Sequence, residues 1–106
     1  MIRCVIVEDE EMARNVLKSL LAQYCKDVMV CAEAEDVNSG KAMIEAYRPD
    51  LVFLDIEMPG GSGFKLLSSV DKLDFEVVFI TAYEQFAIKA IRHDALDYLL
   101  KPIDPK

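Results

Sequence analysis

The chain has 106 residues, 53% of them apolar, and a formal net charge of −7. That length suits one domain around a single core, and the apolar share excludes an intrinsically disordered chain. The excess of acid argues against a nucleic-acid surface, and no apolar run approaches the roughly 18 residues of a membrane helix.

The first predicted element is "IRCVIV" (Ile2–Val7), a buried strand that runs straight into four acids, Glu8, Asp9, Glu10 and Glu11. Glu10 and Glu11 read as favouring the N-terminus of the next helix. Met12, Val16, Leu17, Leu20, Leu21 and Tyr24 recur at helical spacing and predict an amphipathic helix. "VMVCAEA" (Val28–Ala34) is a second strand, and a second helix around Lys41–Tyr47 is closed by Pro49. "LVFLD" (Leu51–Asp55) is the third strand, and Gly60-Gly61-Ser62-Gly63 leads into a helix carrying Phe64, Leu67 and Val70. "EVVFIT" (Glu76–Thr81) is the fourth strand, a helix runs through Phe86–Arg92, and "DYLL" (Asp97–Leu100) is the fifth strand before Lys101-Pro102.

Several side chains read as packing only. Met12, Met29 and Met43 are assigned to the core, and Tyr24 and Tyr47 to its edges. His93 is placed on the surface near the end of the fourth helix. Cys4, Cys25 and Cys31 show no C-x-x-C spacing, so they read as reduced core thiols of a cytoplasmic protein. The N-terminus carries no signal-peptide pattern, in keeping with that location.

Five strands alternating with helices predict an α/β domain, a doubly wound parallel sheet covered on both faces with right-handed crossovers. Such sheets bind ligands at the carboxyl ends of their strands, where the strand order reverses. Glu8 and Asp9 follow the first strand, Asp55 ends the third, Thr81 the fourth, and Lys101 follows the fifth. With the order 2-1-3-4-5 the first and third strands are neighbours, and Glu8, Asp9 and Asp55 converge. Three carboxylates repel one another, and a hard divalent ion relieves that repulsion. Magnesium takes carboxylate oxygens, keeps waters, and completes its shell with phosphate oxygens. Asp55 then has two roles, as a ligand and as a nucleophile toward phosphorus. Thr81 and Lys101 supply the hydroxyl and the cation that phosphoryl transfer needs for positioning and charge neutralisation.

The stretches "VEDE", "DIEMPGGSG", "FITAY" and "DYLLKPI" resemble the receiver domains of two-component response regulators across essentially the whole chain. "ITAYEQFAIKAIRHDALDYLLKPI" is most similar to receivers that precede LytTR-type DNA-binding domains. The resemblance implies the flavodoxin-like order 2-1-3-4-5, which the residues alone do not choose. It also implies Asp55 as phosphoacceptor, taking phosphate from a sensor histidine kinase. Glu8 and Asp9 match the metal-binding acids, and Glu57 sits where a backbone carbonyl completes the magnesium shell. Thr81 matches the switch hydroxyl, Lys101 the phosphate-pairing lysine, Pro102 the cis proline after it, and Tyr98 the switch aromatic. Met58, Pro59 and Gly63 shape the loop after the acceptor, while Glu57 and Tyr83 border the path of hydrolytic water and tune phosphate lifetime. Glu8 stands where the commoner pattern has Asp, which favours water-mediated contact.

These expectations describe a phosphorylation switch, with self-phosphotransfer and autodephosphorylation as its only chemistry. A haloacid-dehalogenase-type phosphatase wants an acid Asp two residues beyond the nucleophile, where this chain has Glu57. A flavodoxin-like cofactor binder wants a Ser/Thr-rich phosphate loop after the first strand. A pseudo-receiver is disfavoured by the presence of Asp55, Thr81 and Lys101 together. Asp104-Pro105 reads as an N-cap and first residue of a final helix. That reading makes residues 1–106 a C-terminally truncated receiver without an output domain, which binds neither nucleic acid nor membrane by itself. Homodimerisation is expected through the output face or the face vacated by the final helix.

Overall fold

The computed structural model describes residues 1–58, 61–70, 75–81 and 97–100. In chain order the elements are β1 (Ile2–Val7), α1 (Glu11–Tyr24), β2 (Val28–Ala34), α2 (Val37–Tyr47), β3 (Leu51–Asp55), β4 (Glu57–Met58), β5 (Gly61–Ser62), α3 (Gly63–Ser69), β6 (Glu76–Thr81) and β7 (Asp97–Leu100). The main sheet is parallel with order β2-β1-β3-β6-β7, the expected flavodoxin-like arrangement with its two short additions left aside. The helix expected through Phe86–Arg92, His93 and the final turn at Asp104-Pro105 lie outside the described residues.

Apolar residues fill both faces of the central strands, and strand alternation divides them between two cores. Val5, Val7, Val52, Leu54, Val77 and Phe79 pack with Val37 and Ile44 of α2 and Phe64, Leu66 and Leu67 of α3. Cys4, Ile6, Phe53, Val78 and Ile80 face the other way and meet Leu17 and Leu21 of α1. Near the centre of the first core, the rings of Phe64 and Phe79 pack tilted with centroids 4.9 Å apart. Burial pushes the Cys4 thiol up to about 12, with Cys31 as a lesser cause. All three cysteines are free thiols, as their spacing suggested, but only Cys4 is a core residue, since Cys25 and Cys31 are half-buried.

Packing corrects four side-chain assignments. Met12 is 81% exposed and Tyr24 62%, while Tyr47 and Met29 are also exposed. Each helical residue turns about 100° from the last, so Met12 points well away from the stripe set by Leu17 and Leu21. Tyr24 and Tyr47 are the final residues of their helices, and Met29 lies on an edge strand. Met43 does pack against the core.

The second helix starts earlier than its apolar pattern suggested. Asp36 accepts the Ser39 N–H at 2.7 Å, and Ser39 Oγ accepts the Asp36 N–H at 3.3 Å, a reciprocal cap. Hydrogen bonds from the Ser39 N–H and the Ser39 hydroxyl to the Asp36 carboxylate hold it below its usual range, the N–H being the larger cause. Gly40 then interrupts the apolar spacing for a packing reason. A Cβ there would lie 2.6 Å from Leu66 Cδ1 and 2.8 Å from Val7 Cγ1, so only glycine lets α2 approach β1 and α3 this closely. The helix ends with Arg48 in the left-handed region at φ 44°, and Pro49 follows it.

Candidate phosphoacceptor site

The parallel pairing of β1 with β3 runs from Cys4↔Leu51 to Val7↔Leu54, so Glu8 and Asp55 come next on adjacent strands. Both are almost fully buried, Glu8 at 1% and Asp55 at 3% exposure. Burying carboxylates is costly without compensating hydrogen bonds or a cation, and the backbone here supplies part of that compensation. Glu8 Oε2 accepts the Glu10 N–H at 2.9 Å, and Asp55 Oδ1 accepts the Glu57 N–H at 3.2 Å. The Glu8 carboxylate thus holds the N–H of Glu10, the residue just before α1, and Glu10 makes no side-chain cap bond of its own.

Carboxylate oxygens of Glu8, Asp9 and Glu10 gather within 4.8 Å of one another. The sequence reading gave Glu10 only a helix-dipole role, and the fold also brings its carboxylate into this cluster. Asp55 stands beside the cluster, at the end of β3. Glu57 has an exposed side chain and reaches the site through its backbone. An all-carboxylate donor set of this kind is hard and anionic, and it fits magnesium better than a soft metal.

The loop after Asp55 is more ordered than a glycine-rich connection implies. Glu57↔Ser62 and Met58↔Gly61 form a two-stranded antiparallel ladder, and Ser62 Oγ accepts the Lys65 N–H at 3.1 Å to cap α3. Gly63 is required by close approach. A Cβ there would sit 2.5 Å from the Asp55 carbonyl oxygen and 2.9 Å from Leu54 Cγ. Its N–H also donates to the Ile56 carbonyl at 2.8 Å, which ties α3 to the chain just past the acid.

Thr81 ends β6, two strands from β1, and Tyr98 lies in β7 paired with Phe79. Pro59, Tyr83, Lys101 and Pro102 lie outside the described residues. Two site neighbours escaped the sequence reading, Arg14 and Glu33. Arg14 Nη1 donates to the Glu8 carbonyl at 2.7 Å, and its Nε lies 3.3 Å from Glu33 Oε1. No local pattern marks either one, since their meeting depends on how β2 is registered against β1.

Comparison with known proteins agrees with this arrangement. The family described as the response regulator receiver domain matches residues 4–106. An uncharacterized response regulatory protein of Vibrio cholerae is 44% identical over 105 residues, covering 98% of this chain. The sensory transduction protein LytT of Bacillus subtilis is 42% identical over 106 residues, covering 98% of this chain and 44% of its own length. Among solved structures, the REC domain of AraT, a response regulator from Geobacillus stearothermophilus, superposes with a TM-score of 0.86 at 33% identity, covering 98% of this chain and 84% of that one. The chain belongs to the receiver domains of two-component response regulators. It spans about 44% of the length of the curated relatives it matches. Among the described residues, no helix is long and apolar enough to cross a membrane.

Proposed function

We propose that the chain is the phosphoacceptor domain of a longer, cytoplasmic transcriptional regulator. In this reading residues 1–106 carry the switch, and a LytTR-type DNA-binding part belongs to the whole protein. The observation that supports it most is the buried Asp55 at the end of β3, one strand from the Glu8–Asp9–Glu10 cluster. The phosphoryl donor is a sensor histidine kinase. An Asp55 carboxylate oxygen attacks phosphorus, the P–N bond to the kinase imidazole breaks, and the imidazole nitrogen leaves with the bonding pair.

Glu8 and Asp9 would hold magnesium together with Asp55 and the backbone carbonyl of Glu57. When bound, the ion supplies neutralising charge for the transferring phosphoryl oxygens. The chain itself fixes the nucleophile, since the Glu57 N–H orients one Asp55 oxygen. Thr81 offers a hydroxyl to a phosphoryl oxygen and Lys101 a balancing cation. By the family resemblance, Pro102 and Pro59 would belong to the same machinery, with Gly63 shaping the loop after Asp55. Tyr98 reports the phosphorylated state at the output face, a surface suited to pairing with a second copy. Glu57 and Tyr83 set the lifetime of the acyl phosphate against hydrolysis. The domain thus turns over nothing but its own phosphate.

Incubation with magnesium and a small acyl phosphate, followed by intact-mass analysis, tests this reading. One phosphoryl group should add to the wild-type chain and none to Asp55→Asn. Undiminished labelling of Asp55→Asn would refute the assignment.

A further inference from the structure

The alternation of β2 breaks in its middle. Val28 and Val30 pack on the α1 side of the sheet with Leu17 and Leu21, whereas Ala32 and Ala34 pack on the α2 side. The cause is a bulge in the pairing with β1, where Cys4 pairs with Val30 but Val5 pairs with Ala32, leaving Cys31 as the extra residue. An uninterrupted strand would send Glu33 to the α2 core. The bulge instead turns it to α1, where it meets Lys18 Nζ at 2.9 Å and Arg14 Nε at 3.3 Å. Arg14 is the more enclosed of the two cations, with 14% of its side chain exposed against 37% for Lys18. Its guanidinium spans the gap to the acidic loop, pairing with the Glu33 carboxylate through its Nε end and donating from Nη1 to the Glu8 carbonyl. The Glu8 N–H is held from the other side by the Ala34 carbonyl at 2.9 Å.

We infer that Arg14, seated by the bulge-directed Glu33, is a positioning residue that holds the Glu8–Asp9–Glu10 loop in its cation-binding shape. The inference rests on the magnesium reading of that loop. Its physical content is geometric. The acids repel one another, so an unbraced loop spreads, and the bound shape must then be regained on binding. Partners of this outer kind typically change metal affinity by about 10–100-fold when removed. A purely electrostatic role has the opposite sign, because deleting a cation beside an acidic cluster strengthens its hold on magnesium.

Magnesium chloride titrated calorimetrically into the chain at constant ionic strength separates these cases. Arg14→Gln should bind magnesium about tenfold more weakly than wild type. Glu33→Gln should also weaken binding, because it releases the Nε end of Arg14. Lys18→Ala shares the Glu33 partner but not the loop, and should bind as wild type does. A merely structural role would lower the metal-free melting temperature of Arg14→Gln and leave affinity of the folded protein unchanged. Equal or tighter binding by Arg14→Gln overturns the inference while leaving the magnesium reading intact. Absence of binding by the wild type overturns both. If Arg14→Gln does not fold, Arg14→Lys carries the test, since it keeps the charge but loses the two-pronged reach. Wild-type affinity in Arg14→Lys would then refute positioning.

Discussion

Replacing Gly63 by alanine probes how tightly α3 is docked against the acceptor. The added methyl would lie 2.5 Å from the Asp55 carbonyl oxygen, 2.9 Å from Leu54 Cγ and 3.3 Å from the Asp55 carbonyl carbon. Two of those three atoms are backbone, so a rotamer change cannot relieve the contact. Overpacking of this kind costs about 1–3 kcal/mol. Alanine returns about 0.4–1 kcal/mol by restricting the unfolded chain, since no left-handed conformation is needed at this position. At the midpoints of those ranges the net is a loss of about 1.3 kcal/mol, which at about 4–8 °C per kcal/mol for a domain near this size predicts a clear drop in melting temperature. Relief of the clash must shift either α3 or the end of β3. A shift of β3 carries the Asp55 carboxylate with it, and misplacement of about 1 Å can cost on the order of 100-fold in rate. Thermal denaturation by circular dichroism reads the first effect, and the rate of acyl-phosphate labelling below the transition reads the second. A Gly63→Ala chain that melts with the wild type and labels at the wild-type rate would show that this approach is not tight, and the reasoning would fail.

Asp36→Ala should lower the melting temperature at neutral pH by removing the reciprocal cap of α2. Because Ser39 holds the folded Asp36 carboxyl below its ordinary value, the cap's contribution is present above about pH 4 and fades as pH falls through the folded value. The gap between the two proteins should therefore close in acid, and a constant gap would contradict the cap. Cys4 gives the alkaline counterpart. Its thiol moves from 9.0 to about 12 on folding, so stability is full below 9.0 and falls as pH rises toward 12. The greatest slope is about 1.4 kcal/mol per pH unit. Urea unfolding of Cys4→Ala should show a flatter alkaline limb than wild type, and parallel limbs would refute the assignment.

Sequence periodicity and breakers sufficed for much of the fold. Leu51–Asp55 and Glu76–Thr81 end where their apolar runs end, and Pro49 stops α2, because run length and breakers act through the few residues around them. The acids at the strand ends were legible for the same reason, as was the choice of Asp55 as the residue to test. The start of α2 was legible in principle, from the spacing of Asp36 and Ser39, but Gly40 masked it by serving a neighbour rather than its own helix. Other features had no local signature. Strands apolar on both faces do not reveal which residues go to which core, and Met12 and Tyr24 show that apolar spacing alone overstates a buried stripe. The entry of Glu10 into the acidic cluster came from the turn that the Glu8 carboxylate makes with its own backbone. The bulge at Cys31, and with it the meeting of Glu33 and Arg14, was decided by the pairing of β2 with β1. Propensity, periodicity and capping act over a turn of helix or a few strand residues. Register joins residues more than twenty positions apart, through contacts that exist only once the sheet has formed.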